Sequence, residues 1–220
     1  MNRRFALLAL PALFALTAAT PPRTRPAPAP LPDLVMVTLT TELGPIELEL
    51  DHKHAPITVA NFVRYVDQRR FDGVVFYRVM RLAWGEQPNG LVQAGARGDP
   101  KRVLRGIAHE PTSQTGLLHK AGSLSMARFA PGTATGDFSI LVSDQPGLDA
   151  DPASTDPDRR AGYAAFGRVT KGMDVVRKIY DAPINPALGE GFMRGQMLAK
   201  PVRVITARRV PATAPATPPR

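Results

Sequence analysis

Four histidines are the side chains of this sequence that could most directly hold a metal or move a proton: His52, His54, His109 and His119. His52 and His54 form an H-x-H pair that, on a strand, would offer two ring nitrogens on one side to a metal. No third ligand is evident nearby, so two solvated histidines are the simpler reading. His109 and His119 carry no assigned chemistry. The chain contains no cysteine, so no disulfide can staple it and the fold must be held by its core. Trp84 is its only tryptophan.

Charge offers a second kind of chemistry. The formal charge of the 220-residue chain is +9, a balance that favours anionic partners. There is no dense basic run, and the arginines are spread along the chain, so a solvated basic surface is expected and no nucleic-acid partner.

The elements that would position a site lie between two atypical ends. Residues 1–19 read MNRRFALLALPALFALTAA. Arg3 and Arg4 precede an apolar run that ends in small residues, the pattern of a cleaved secretory signal. A retained membrane anchor is the alternative, although the run is short for a span and Pro11 interrupts it. Cleavage removes those two arginines and no acid, leaving +7 of the +9. Residues 20–33 are rich in Pro and Ala and predict a stiff, extended linker. Residues 211–220 have similar composition and are expected to be a disordered tail. The globular domain is therefore expected over 34–210, in the periplasm or outside the cell, as a monomer with no stable membrane insertion.

Within that domain, Met36–Leu39 and the alternating Ile46, Leu48 and Leu50 predict a hairpin around the Glu42-Leu43-Gly44-Pro45 turn. Pro56 suits the first position of a helix, and Val59, Phe62, Val63 and Val66 form one apolar helical face; this helix is expected at about 56–69. Further strands are expected at Val74–Val79, Gly90–Gly95, Ser123–Ala127, Phe138–Val142, Tyr163–Val169 and Val202–Ala207, with a second helix over Lys171–Tyr180. Many short strands with two helices predict an all-β barrel with helical caps.

Six segments, in order, resemble the cyclophilin family of peptidyl-prolyl cis-trans isomerases: TELGPIELEL, APITVANFVRYV, FDGVVFYRVM, GLVQAGARGDP, AGSLSMAR and YAAFGRVTKGMDVV. The resemblance covers about Met36 to Arg209. It implies a closed eight-stranded antiparallel barrel capped by two α-helices, a peptide groove on the barrel's outer face, and no metal or organic cofactor. It also implies a chemistry. Rotation about a prolyl amide is slow because the C–N bond has partial double-bond character, with a barrier of about 18–20 kcal/mol. A fixed guanidinium can donate to the nitrogen as it becomes pyramidal, and an apolar groove disfavours the planar, charge-separated amide.

By this resemblance Arg78 is the catalytic residue and Gln93 binds the substrate backbone. Leu91 and Leu148 are apolar groove residues. Ala127 and Arg128 match an Ala-Asn pair that presents backbone groups to the peptide, with Arg128 adding charge. Phe138 matches the first of two family phenylalanines. The departures concern the proline pocket. Ser139 falls at the second phenylalanine, Gly90 at another pocket phenylalanine, Tyr163 at a histidine, Gly147 at a bulky residue and Asp137 at a glutamine. An insertion between Arg78 and Gln93 carries Trp84, which would either fold over the groove as a replacement wall or pack on the barrel rim. A second insertion precedes Tyr163 and is expected to be a surface loop. Two functions compete: an isomerase acting on proline-containing clients during folding of exported proteins, and a binding module for proline peptides with little catalysis. A basic, envelope-associated structural protein is a third reading, supported only by charge and linker.

Overall fold

The computed structural model describes residues 30–210. The expected signal sequence (1–19), most of the expected 20–33 linker and the expected 211–220 tail lie outside the described residues. In chain order the elements are β1 (Leu34–Thr41), β2 (Gly44–Asp51), α1 (Pro56–Asp67), β3 (Val75–Arg81), β4 (Gly90–Gly95), α2 (Thr112–Thr115), β5 (Ser123–Met126), β6 (Phe138–Leu141), α3 (Pro157–Ala161), β7 (Ala165–Lys171), α4 (Met173–Asp181), β8 (Ile184–Asn185) and β9 (Met197–Arg209).

Eight strands close on themselves in the order β1-β2-β7-β5-β6-β4-β3-β9, with β9 returning to pair with β1; two-residue β8 hangs on β9. Every pairing is antiparallel. This is the expected closed barrel, and closure leaves no long open edge. The alternation read from β2 holds: Ile46, Leu48 and Leu50 are fully buried, while Glu47 and Glu49 face outward and pair with Lys171 and Arg168.

α1 and α4 cap the barrel and send their apolar faces into one continuous core. The expected face of α1 is buried, and Phe62 stacks its ring within 4.8–5.3 Å of Phe71, Phe138 and Phe166. No local side chain caps α1. Instead Glu110, 1% exposed, accepts from the Ile57 and Thr58 amides at 3.0 and 2.7 Å and from the Thr58 hydroxyl at 2.6 Å. A carboxylate at a helix N-terminus satisfies free amides and favours the helix dipole.

Several boundaries differ from expectation, most by one or two residues. α4 starts at Met173 because Lys171 is still paired with Glu47 in β7 and Gly172, at φ +92°, makes the turn. Tyr163 precedes β7 instead of opening it. β9 begins five residues early, at Met197, because its first residues pair with β8 and with Arg78. Short α2 and α3 were not anticipated.

Candidate active site

A bulge in β3 decides which way Arg78 faces. Phe76 lies opposite Ala94, but Arg78 lies opposite Gln93, so Tyr77 is an extra residue in β3. In a regular strand residues 76 and 78 would share a face. With the bulge, Phe76 and Val79 both enter the core, and Arg78 turns to the outer face. On β4, Val92 and Ala94 point inward, and Leu91 and Gln93 outward. The register then aligns Arg78, Gln93, Ser139 and Ser125 in one row across β3, β4, β6 and β5. The row is outside the barrel core but largely covered by loops.

The guanidinium of Arg78 is held in place twice. Its Nη1 donates to Gln93 Oε1 at 2.8 Å and its Nε to Gln196 Oε1 at 2.9 Å. Burial lowers its pKa from the ordinary arginine value, and arginine still stays charged at working pH. Two of five N–H donors are thus used for positioning, and no hydrogen bond uses the rest among the described residues, which leaves them for a ligand. The Phe192 ring stands 5.4 Å from Arg78 Cζ. Neither Phe192 nor Gln196 was foreseen; both lie in GFMRGQM, for which no element was predicted.

A second group forms the opposite rim. The Tyr163 amide donates to the Leu148 carbonyl at 2.8 Å, and the Tyr163 ring lies 4.7 Å from Arg128 Cζ. Arg128 does not present its charge to a peptide. Its guanidinium, with a side chain only 2% exposed, donates to the carbonyls of Gly162 and Phe129 at 2.6 and 2.8 Å, tying down the inserted loop before Tyr163. The Ala127 amide is likewise occupied, by the Asp137 carbonyl at 2.9 Å, so only its carbonyl can meet a ligand.

Other expected residues fall elsewhere. Phe138 belongs to the core: it is 1% exposed and packs on Phe62, Phe71 and Phe76. Its strand neighbour Ser139 holds the outer position, so the row lacks an aromatic ring there. Gly90 is no simple deletion. At φ +142° an added Cβ would lie 1.9 Å from the Met80 carbonyl, so the backbone pairing itself demands glycine. Gly147 does leave a gap, with nothing within 4 Å of an added Cβ. Asp137 accepts from Tyr77 Oη and from the Arg97 amide, both at 3.0 Å, and burial raises its pKa. Trp84 is 66% exposed and is not rim core. Its loop packs beside Tyr180 and Asp181 of α4. Trp84→Ala is therefore expected to change unfolding free energy by less than about 0.5 kcal/mol, as surface substitutions do; urea denaturation checks it.

His119 has a role that the sequence did not reveal. It is 1% exposed, with Nδ1 2.7 Å from Asp149 Oδ1 and Nε2 2.8 Å from Ser125 Oγ. A carboxylate only accepts, so Nδ1 carries the proton and Nε2 accepts from the serine. The connectivity is that of a nucleophilic triad, but Ser125 is 3% exposed and out of reach of a substrate. The histidine instead ties β5 to the turn bearing Leu148. Burial lowers its pKa below 6.5, against the opposing pull of Asp149. The unfolded chain then binds a proton that the folded one refuses, so this contribution to stability is complete above pH 6.5 and is lost as pH falls below it. His119→Gln is expected to be less stable at neutral pH and to lose that part of the acid slope, as measured by urea midpoints from pH 7.5 downward.

The remaining histidines do not assemble a metal site. His52 and His54 sit in a turn, not on a strand, and His54 Nδ1 pairs with Asp51 at 2.8 Å. Among the described residues no three His, Cys, Asp or Glu cluster to hold a metal.

A closed antiparallel barrel carrying an arginine and a glutamine in one outer row defines a class of protein, and comparisons agree on it. The family model for cyclophilin type peptidyl-prolyl cis-trans isomerases matches residues 36–207. A peptidyl-prolyl cis-trans isomerase of Acinetobacter baylyi is 37% identical over 173 residues, 78% of this chain and 83% of the relative. Peptidyl-prolyl cis-trans isomerase A of Dickeya dadantii is 39% identical over 145 residues, 65% of this chain and 70% of the relative. A crystal structure of a Cryptosporidium parvum cyclophilin type isomerase superposes with a TM-score of 0.62 over 82% of this chain and 99% of that one, at 16% identity; a structure of it in the presence of the dipeptide Ala-Pro gives 0.61 over 79% and 97%, at 18% identity. The chain belongs to the cyclophilin-type peptidyl-prolyl cis-trans isomerase family, a family of enzymes.

Proposed function

We propose that this chain is an exported, monomeric isomerase that accelerates rotation about X-Pro amides in client polypeptides folding outside the cytoplasm. The observation that carries the catalytic part is Arg78, whose guanidinium is fixed by Gln93 and Gln196 with donors to spare. A client segment meets the Arg78 end of the row, and Gln93 holds its backbone. As the prolyl amide twists, its nitrogen becomes pyramidal and gains a lone pair that the planar amide lacks. A donor already aimed at that nitrogen binds the twisted form better than the planar one, and this difference is the catalysis. The part concerning export rests on the n-region, apolar run and small residues of 1–19.

A protease-coupled isomerisation assay on an Ala-Ala-Pro-Phe substrate tests the activity; acceleration over the uncatalysed rate is expected. Peptide binding without acceleration would favour the second reading, a proline-peptide binding module, which Ser139 on the outer row supports. Intact mass of protein recovered from the cell envelope tests export: a mature chain starting near Thr20 is expected, and a mass that retains residues 1–19 would make the segment an anchor.

A further inference from the structure

The departures at Ser139 and Gly90 leave the barrel side of the Arg78 row without an aromatic ring. An aromatic ring reaches Arg78 from a different place, the segment between β8 and β9. That segment is folded tightly on itself. Gly189, Gly191 and Gly195 all have positive φ, and an added Cβ at Gly189 would meet the Met193 carbonyl at 2.3 Å. The Met193 amide donates to the Glu190 carbonyl at 3.0 Å and the Gly195 amide to Leu188 at 2.8 Å. The folded segment is then docked on β3, where the Val79 amide donates to the Gln196 carbonyl at 2.8 Å.

One side chain links this segment to the catalytic arginine. Gln196 accepts from Arg78 Nε through Oε1 and donates through Nε2 to the Phe192 carbonyl, at 2.9 and 2.8 Å. Guanidinium and phenylalanine backbone are therefore registered by the same amide. The ring lies 5.4 Å from Arg78 Cζ, yet 79% of Phe192 is exposed. An aromatic side chain held beside a fixed cation and left open to water is poised to gain contact when an apolar group arrives.

We propose that Phe192 is the aromatic wall of the proline subsite, replacing the ring missing at Ser139, and that Gln196 is a positioning residue that holds this wall and Arg78 in register. The group received is the pyrrolidine ring of an X-Pro peptide, with its nitrogen toward Arg78. The proposal rests on the isomerase reading above.

The test measures binding and turnover separately, with Ala-Ala-Pro-Phe and Ala-Ala-Ala-Phe as probes. Phe192→Ala, which removes an exposed ring, is expected to leave the fold unchanged and to weaken binding of the proline peptide about tenfold, the size of losing one good apolar contact. Binding of the alanine peptide should not change, and this readout separates a proline wall from general damage. Adding Ser139→Phe to Phe192→Ala should recover most of the loss by restoring a ring from the barrel side. Gln196→Ala should lower kcat, since it frees the guanidinium. Gln196→Glu keeps the acceptor for Arg78 but loses the donor to Phe192, and should keep kcat while raising KM. Unchanged or tighter proline-peptide binding by Phe192→Ala overturns the proposal; the tighter result would mean that the ring blocks the site. If the wild type turns over substrate, Arg78→Ala does not, and Phe192→Ala binds normally, the wall falls and the isomerase reading stands. If the wild type binds without turnover and Phe192→Ala weakens binding, the wall stands and catalysis falls. A wild type that binds no proline peptide overturns both.

Discussion

Arg78→Ala is expected to lower kcat/KM for an X-Pro substrate by about 10²–10³-fold, the range seen when one preorganised transition-state donor is removed. The reason is specific to this site. The guanidinium is held by two glutamine oxygens before any ligand arrives, so no free energy is spent aiming it during the reaction. Alanine removes the donor and leaves Gln93 Oε1 and Gln196 Oε1 without their partner. Gln93 is 7% exposed, and a buried polar group left unpaired costs about 1–3 kcal/mol. The variant should thus remain folded with a lower urea midpoint, and a turnover assay well below that midpoint isolates the catalytic effect. Arg78→Lys is expected to recover little, because an ammonium keeps the charge but cannot bridge both glutamines while still reaching the ligand. Unchanged kcat/KM in Arg78→Ala would remove the residue from the mechanism.

Phe138→Ala should act on stability instead. Its ring meets Phe62 at 5.1 Å, Phe71 at 5.5 Å and Phe76 at 6.3 Å, at the meeting point of α1 and the barrel wall. Aromatic-to-alanine changes in a core cost about 3–5 kcal/mol, a large share of the roughly 5–15 kcal/mol that holds an ordinary domain together. One residue along the same strand, Ser139→Ala should cost less than about 1 kcal/mol, since among the described residues the hydroxyl it removes from the outer row has no hydrogen-bond partner to strand. Urea unfolding of the two variants compares the faces of β6 directly. Proline-peptide affinity of folded Phe138→Ala should match the wild type; a loss of affinity at unchanged stability would place the ring in the groove after all.

The pattern of these residues shows how far local sequence reaches. Ile46, Leu48 and Leu50 declare a strand because successive side chains must alternate between faces. Val59, Phe62, Val63 and Val66 declare a helix because only a period of 3.6 brings them together. Both signals act within a few residues, so the eight strands, two capping helices and their order were legible, and with them the place of Arg78 and Gln93 on neighbouring strands. Contacts made across the barrel were not. The bulge at Tyr77, which turns Arg78 outward, depends on how β3 pairs with β4 and β9. Arg128 reads as an exposed charge until the carbonyl of Gly162, 34 positions later, claims its guanidinium. Glycine at position 90 looks like a lost side chain, and only the 1.9 Å approach of Met80 shows that none fits. Gln196 stands 118 residues from Arg78, in a segment with no periodicity to mark it. Spacing along a chain encodes which face a side chain takes, through the repeat of the backbone, whereas the partner it finds there is set by closure of the barrel, which brings distant segments together without leaving a local trace.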